Sequence, residues 1–264
     1  MAELNQLTFW NHIRAFYASW RQAGPYWGGE NGVDAMILVN GKTDEDIIYG
    51  RWLSTVLYFC GYEMDNTIIV LTKTSVHLLA GPKKCKLFQP LVDSAEEIKL
   101  HVHVKEKRAD LSPLYDTLVD SIQASGEGSR VGYIKRQPDQ GKFVNGFISR
   151  LTDQNIERVD VSIGWAILTA QLDNVGINAA RQAASITAEV HNKFMVRAQM
   201  EDSIEEDTKI KHSEIAQRTE DIFTNLAEEK ERKKYKIKLN EKTSWNDIES
   251  CYTPIIMSGG IFTI

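Results

Sequence analysis

Apolar residues recur at helical spacing near the start of the chain. The residues that share this spacing are Leu7, Trp10, Ile13, Phe16, Tyr17 and Trp20. A stripe of this kind predicts an amphipathic helix whose aromatic face packs against a core. The stretch that follows, AGPYWGGENG, is rich in glycine and contains a proline, so it predicts a loop that ends this helix.

From residue 34 to about residue 172, short apolar runs alternate with segments of helical period. The predicted strands are DAMILVNG, NTIIVLT, SVHLLAG, IKLHVHVKE and RVGYI, and the predicted helices are RWLSTVLYFCGYE, LSPLYDTLVDSIQAS and GKFVNGFISRL. Strands that alternate with helices indicate a mixed or parallel sheet covered by helices. Residues 1–172 are therefore expected to form an α/β lobe.

The pattern changes in residues 173–264. One long helix is predicted over NVGINAARQAASITAEVHNKFMVRAQ, and a second over HSEIAQRTEDIFTNLAEEK, with Ser213 as its N-cap. A strand is predicted over DIESCYTPIIMSGG. Because one strand leaves its backbone donors and acceptors unpaired, this second lobe is expected to be incomplete, with the rest of its sheet outside the given sequence.

Charge and cysteine content narrow the possible functions. The net charge is −5 and the pI is about 5.7, which argues against a protein whose main task is to bind nucleic-acid phosphates. The three cysteines form no C-x-x-C pair and predict neither a zinc ribbon nor a disulfide framework. No leader segment or membrane-length apolar stretch is recognised, so a reducing compartment and no membrane partner are expected.

Three polar clusters could carry chemistry. His101 and His103 share one face of a strand, as in some metal sites, but no nearby carboxylate or thiol completes a ligand set, so two surface-facing positions are the favoured interpretation. Lys83, Lys84 and Lys86 follow a strand and are interpreted as a solvated loop, or else as a landing place for acidic groups.

The third cluster is the charged run EEKERKKYKIKLNEK. It could serve as a nuclear-import or nucleic-acid patch, but its interleaved charges favour a helix end with charge pairing. No nucleophile elbow, P-loop or dinucleotide fingerprint is present, so the residues alone show no catalytic set.

Four stretches together resemble the N-terminal domain of the large subunit of the FACT histone chaperone. They are YFCGYEMDNTIIVL, AASITAEVHNKFM, IKHSEIAQRTEDI and CYTPIIMSGG, and DQGKFVNGF adds a weaker match. That domain is similar to creatinase and aminopeptidase P. The resemblance therefore implies an N-terminal mixed-sheet lobe (residues 1–172) followed by the first helices and first strand of a truncated pita-bread lobe (residues 173–264).

The same resemblance bears on catalysis. In active peptidases of this fold an Asn stands two residues after the glycine of the Ser-Gly pair, whereas Ile261 stands there in this chain. The metal ligands of those peptidases, two Asp, one His and two Glu, fall beyond Ile264. The resemblance thus implies a protein that is not an enzyme, with no catalytic residue, no metal and no cofactor.

For partners, the resemblance implies core histones, and the other FACT subunit through regions outside this chain. The implied task is nucleosome disassembly and reassembly during transcription, replication and repair, in the nucleus and on chromosomes. Residues considered for protein binding are Lys83, Lys84, Lys86, Tyr252 and Ser258. Two alternatives stay open: the N-terminal part of a metal-dependent Xaa-Pro aminopeptidase, and a scaffold module that docks replication or transcription factors.

Overall fold

The structure of the protein, a computed structural model, describes residues 4–22, 24–42, 50–92, 97–135, 141–238, 244–252 and 254–257. Its contacts divide the chain into two compact units, Met1–Gln171 and Leu172–Ile264, called unit 1 and unit 2 below. No helix in the described ranges is long and apolar enough to cross a membrane.

Unit 1 is built on a six-stranded mixed sheet. Its strands are β1 (Ala35–Asn40), β2 (Thr67–Leu71), β3 (Ser75–Ala80), β4 (Lys99–Val104), β5 (Arg130–Tyr133) and β6 (Glu157–Asp160). They lie in the order β4-β3-β2-β1-β5-β6. The β1–β2 and β2–β3 pairs are antiparallel, and the β3–β4, β1–β5 and β5–β6 pairs are parallel. This sheet confirms the α/β prediction.

In the described part of unit 1, six helices cover this sheet. They are α1 (Gln6–Arg21), α2 (Arg51–Cys60), α3 (Pro82–Val92), α4 (Ser112–Gln123), α5 (Gly141–Asp153) and α6 (Ser162–Thr169). The end of α2 shows why the sequence pattern worked there. Gly61 follows the helix with φ of 67°, a left-handed conformation that a residue without a Cβ adopts at little cost, and its N–H donates to the Leu57 carbonyl oxygen.

Each face of the sheet carries its own hydrophobic core. One core is aromatic and includes the buried face of α1, where Phe16 stacks on Trp165 of α6 with centroids 4.8 Å apart. The other core joins the opposite sheet face to α4 and α5 through side chains such as Leu118 and Phe147. Two covered faces explain why the central strands β1 and β2 are buried at every position.

The regular structure in the described part of unit 2 is helical. Helix α7 (Asn174–Glu189) continues into a segment with π-helical hydrogen bonding, Val190–Glu201, and then into α8 (Asp202–Glu205). Helices α9 (His212–Asn225) and α10 (Glu229–Tyr235) follow, and Trp245–Asp247 forms one 3₁₀ turn. A small core holds them together: Ile186, Val190, Phe194, Ile222, Leu226 and Ile237.

Four sequence predictions need correction, and the first two concern helix starts. Residues 82–86 are the first turns of α3 and not a solvated loop, because Pro82 takes the first helical position, where its missing N–H costs nothing. Ser213 is not the N-cap of α9. That helix begins at His212, and the Glu214 side chain accepts a hydrogen bond from the Lys211 backbone N–H, 3.1 Å away.

The other two corrections concern regular structure. The strand predicted over residues 247–260 does not form in its described part, since residues 248–252 and 254–257 have no strand pairing. In unit 1, β6 and α6 are additional elements that the sequence pattern did not reveal. The charged run was interpreted correctly as helix with charge pairing, since the Lys233 ammonium lies 2.7 Å from the Glu229 carboxylate in α10.

Candidate protein-binding site

Two of the three candidate lysines lie on the outer face of α3. This helix starts where β3 ends, and the Gly81 carbonyl oxygen accepts hydrogen bonds from the backbone N–H groups of Lys84 and Cys85, both at 3.0 Å. Cys85, Phe88 and Leu91 turn inward to the aromatic core. Lys83 and Lys86 are exposed on the other side, and their spacing of three residues makes them neighbours on the helix surface.

Lys84 is held inside the fold. Its ammonium group donates to the carboxylate and to the carbonyl oxygen of Asp65. Partial burial opposes ionisation of this carboxyl, but hydrogen bonds from Lys84 and Asn66 outweigh it and lower the pKa of Asp65. Lys84 therefore stabilises the loop before β2 and is the least available of the three lysines for a partner.

Further basic side chains meet Lys83 and Lys86 at the carboxyl end of β4. Because β3 and β4 are parallel, α3 begins at the end of the sheet where β4 finishes. Lys107 and Arg108 follow β4 and are exposed. The ammonium of Lys105 lies 4.0 Å from the centroid of the Phe143 ring.

Burial and the nearby charge of Lys84 lower the pKa of Lys105, while the carboxylate of Asp65 opposes that change. Lys105 lies beside the first turns of α3, because its backbone N–H bonds to Ala80 and its ammonium is near that of Lys84. We call the group of Lys83, Lys86, Lys105, Lys107 and Arg108 the basic edge.

Three histidines pack together on β3 and β4, on the sheet face opposite the aromatic core. His77 Nε2 lies 2.9 Å from Ser75 Oγ, and His77 Nδ1 lies 3.1 Å from His103 Nε2. The rings of His77 and His101 stack with centroids 4.7 Å apart. Among the described residues, no group of three or more His, Cys, Asp and Glu side chains could hold a metal ion. The cluster is therefore a stacked, hydrogen-bonded arrangement in which His101 is exposed and His103 is partly buried.

The pKa values in this cluster follow from burial. Burial lowers the pKa of His77 to about 4, and the charges of His101 and His103 act in the same direction. Burial and the charge of His101 also lower the pKa of His103. His77 and His103 are therefore neutral at pH 7, so the close approach of their rings involves no repulsion between imidazolium ions.

The two remaining candidates lie in unit 2. The side chain of Tyr252 is 69% exposed, and its backbone carbonyl oxygen accepts a hydrogen bond from Ser250 Oγ at 2.9 Å. Tyr252 is thus presented to solvent and does not fill a core. Ser258 lies outside the described residues.

Sequence patterns missed two parts of this arrangement. The third histidine, His77, sits in the alternating run SVHLLAG, but only the parallel pairing of β3 with β4 places it beside the other two. Lys107 and Arg108 lie some twenty residues beyond Lys83 and Lys86, so only the start of α3 at the end of the sheet relates them. The segment KEKR, with three basic residues directly after β4, could have signalled the edge, had its place in the sheet been known.

Known proteins with similar sequences indicate the family of this chain. The family model of the FACT complex subunit SPT16 N-terminal lobe domain matches residues 4–164. FACT complex subunit SPT16 of Zea mays is 27% identical over 267 residues, which cover 99% of this chain and 24% of the relative. The chain thus spans about a quarter of the length of the curated relative it matches.

A solved SPT16 domain agrees with the sequence comparison. The N-terminal domain of FACT complex subunit SPT16 from Cicer arietinum (chickpea) has a TM-score of 0.82 at 26% identity, covering 99% of this chain and 58% of that one. The prolidase from Pyrococcus horikoshii has a TM-score of 0.48 at 16% identity, over 83% of this chain and 50% of that one.

The mixed sheet, with helices packed on both of its faces, defines an α/β domain. More specifically, the chain belongs to the family of the FACT complex subunit SPT16 N-terminal lobe domain, which its residues 4–164 match. The family resemblance stated from the sequence is confirmed. The alternative, the N-terminal part of a Xaa-Pro aminopeptidase, is set aside because the family model and the curated relative are both FACT subunits.

Proposed function

We propose that this chain is a histone-binding domain of a FACT complex, which assists nucleosome disassembly and reassembly during transcription, replication and repair, in the nucleus and on chromosomes. The observation that carries the proposal is the similarity to the chickpea SPT16 N-terminal domain over 99% of the chain. The net charge of −5 supports it, because core histones are basic and complementary charge favours their encounter with an acidic domain.

On this proposal, the surface that binds histones includes Tyr252. Aromatic side chains that are exposed on a folded domain contribute strongly to protein interfaces, because they bury a large area when a partner covers them. Ser258 and the lysines of α3 remain further candidates, with Lys84 the weakest because it is bound to Asp65.

Fluorescence anisotropy tests the proposal directly. Labelled H2A–H2B dimers and H3–H4 tetramers are titrated with the purified chain between 50 and roughly 300 mM salt, where exposed charges become increasingly screened. We expect saturable binding that weakens with salt. If the anisotropy of neither histone pair rises at moderate salt, histone binding is refuted as the task of this domain.

A pair of tyrosine variants then tests the surface. Tyr252→Ala should weaken histone binding about tenfold if its ring is covered by the histone. Tyr26→Ala is the matched control, since Tyr26 is 49% exposed and lies in unit 1. Equal effects of both substitutions, or none from Tyr252→Ala, would remove Tyr252 from the binding surface.

A further inference from the structure

The strand β4 is at one end of the sheet order, so one side of its backbone has no neighbouring strand among the described residues. The pairing with β3 shows which groups face outward. Lys99 N–H donates to the Thr74 carbonyl oxygen at 3.1 Å, and Lys105 N–H donates to the Ala80 carbonyl oxygen at 2.8 Å. Since direction alternates along a strand, the N–H and C=O groups of Leu100, Val102 and Val104 point away from β3. Leu100 is only 3% exposed, so the accessible part of this edge is at Val102 and Val104.

In its described residues, this outer edge has neither of two devices that block strand addition, a bulge and a proline. Its register with β3 is continuous over six residues, from Ser75 opposite Lys99 to Ala80 opposite Val104, so no bulge interrupts it. The sequence KLHVHV contains no proline. The side chain of Val104 is 40% exposed at the end of the strand. Such an edge is a template on which an extended segment can pair.

Charge indicates which segment would pair there. The basic edge stands beside the carboxyl end of β4, and its members Lys83, Lys86, Lys107 and Arg108 are exposed. Glu97, near the other end of the strand, is already paired with Arg21 at 3.0 Å. Glu106 is exposed between Lys105 and Lys107, but the basic side chains outnumber it. A basic histone tail would therefore meet repulsion here, whereas carboxylates would find cations and the outward N–H groups of Val102 and Val104.

We propose that the open edge of β4 binds an extended acidic segment of a partner protein as an added seventh strand, with its carboxylates against the basic edge. This surface is separate from the proposed histone function, because it selects a partner of the opposite charge. It also gives Lys83 and Lys86 of α3 a partner of complementary charge.

A pair of peptides and a pair of variants test the proposal. The probe is a fluorescein-labelled 12-residue peptide in which Glu alternates with Thr, and a Lys–Thr peptide of the same length is its control. We expect the full chain to bind the Glu–Thr peptide in a salt-dependent manner and to bind the Lys–Thr peptide far less.

The backbone variant is Val104→Pro. Proline there removes one outward N–H without removing a hydrogen bond to β3, so affinity should fall by about tenfold while the melting temperature changes little. Val104→Thr is the matched control, because it keeps the N–H and the β-branched shape, and it should bind as the unaltered chain does. The charge variant K83E/K86E should weaken binding and reduce its salt dependence.

Amide hydrogen exchange on the unaltered chain keeps the proposal testable if Val104→Pro fails to fold. Peptide binding should slow exchange at Val102 and Val104 and leave amides of β6 unchanged. Equal binding of the Lys–Thr peptide, equal loss in both Val104 variants, or no protection along β4 would each overturn the proposal. So would concentration-dependent dimers that disappear in Val104→Pro, since the edge would then pair with a second copy of the chain.

Discussion

Protonation of the histidine cluster should destabilise unit 1 in mild acid. His77 is only 9% exposed, and both of its ring nitrogens have neighbours, Ser75 Oγ at 2.9 Å and His103 Nε2 at 3.1 Å. Burial, followed by the charges of His101 and His103, lowers its pKa from 6.5 to about 4. A proton on His77 must therefore be added to a site that resists positive charge.

The sign follows from proton linkage. Between pH 6.5 and about 4 the unfolded chain binds a proton at residue 77 that the folded chain does not, so the free energy of unfolding falls as the pH falls. That stability is fully present above pH 6.5 and is lost as the pH drops to the folded-state pKa. At 1.36 kcal/mol for each pKa unit, the full loss is about 3 kcal/mol, of which about 2 kcal/mol is lost by pH 5. The lowered pKa of His103 adds in the same direction.

Urea unfolding followed by tryptophan fluorescence measures this loss, since Trp10, Trp20, Trp27 and Trp165 all lie in the aromatic core of unit 1. The free energy of unfolding is compared at pH 7.5 and pH 5. The unaltered chain should lose about 2 kcal/mol more over this interval than His77→Gln, which cannot take up the proton. His191→Gln is the control because His191 is exposed in unit 2, and it should behave as the unaltered chain does.

Titration of the histidine Cε1 proton signals by NMR provides an independent test. A titration of His77 near pH 6.5, or the same loss of stability in His77→Gln and the unaltered chain, would refute this account of the cluster.

Substitutions at two further positions test a turn of unit 1 and the core of unit 2. The Asp34 carboxylate accepts hydrogen bonds from the backbone N–H groups of Glu127, Ser129 and Arg130, at 3.1, 3.0 and 3.0 Å. Asp34→Ala should lower the free energy of urea unfolding by about 2–4 kcal/mol, and Asp34→Asn should lower it by clearly less. Equal losses would contradict a role of Asp34 as hydrogen-bond acceptor for residues 127–130. Leu226 is fully buried in the core of unit 2. By the same assay, Leu226→Ala should lower the free energy of unfolding by about 2–5 kcal/mol, and Leu226→Met by under about 1.5 kcal/mol. A loss under about 1 kcal/mol for Leu226→Ala would show that this core contributes little to stability.

The parts of the fold that were predictable depend on local signals. Strands β1 to β3 are short apolar runs bounded by glycine or polar residues, and both sheet faces bury them, so their composition alone indicated strands. The helix α2 carried its stop signal in Gly61. The start of α3 shows the limit of such signals, because a Gly-Pro pair is equally typical of a turn and of the first position of a helix.

The missed elements lacked any local signal. Strand β6 is four residues long and mostly exposed, so it has no hydrophobic period, and its pairing with β5 is what makes it a strand. The predicted strand near residue 252 shows the reverse case. Its apolar residues Ile255 and Met257 are exposed, and without partner strands among the described residues no ladder forms.

The candidate site was least predictable because it depends on strand order. The sequence shows lysines after β3 and histidines in β4, but it does not show that β4, among the described strands, pairs with β3 alone and stands last in the sheet. That position turns a set of separate basic residues into one surface beside an open backbone edge. The net charge of −5 is an average that conceals this surface, since a chain can be acidic overall and basic where it meets one partner. Charge therefore has to be argued by location. On that basis the proposed peptide-binding edge of β4 and the proposed histone-binding surface select partners of opposite sign.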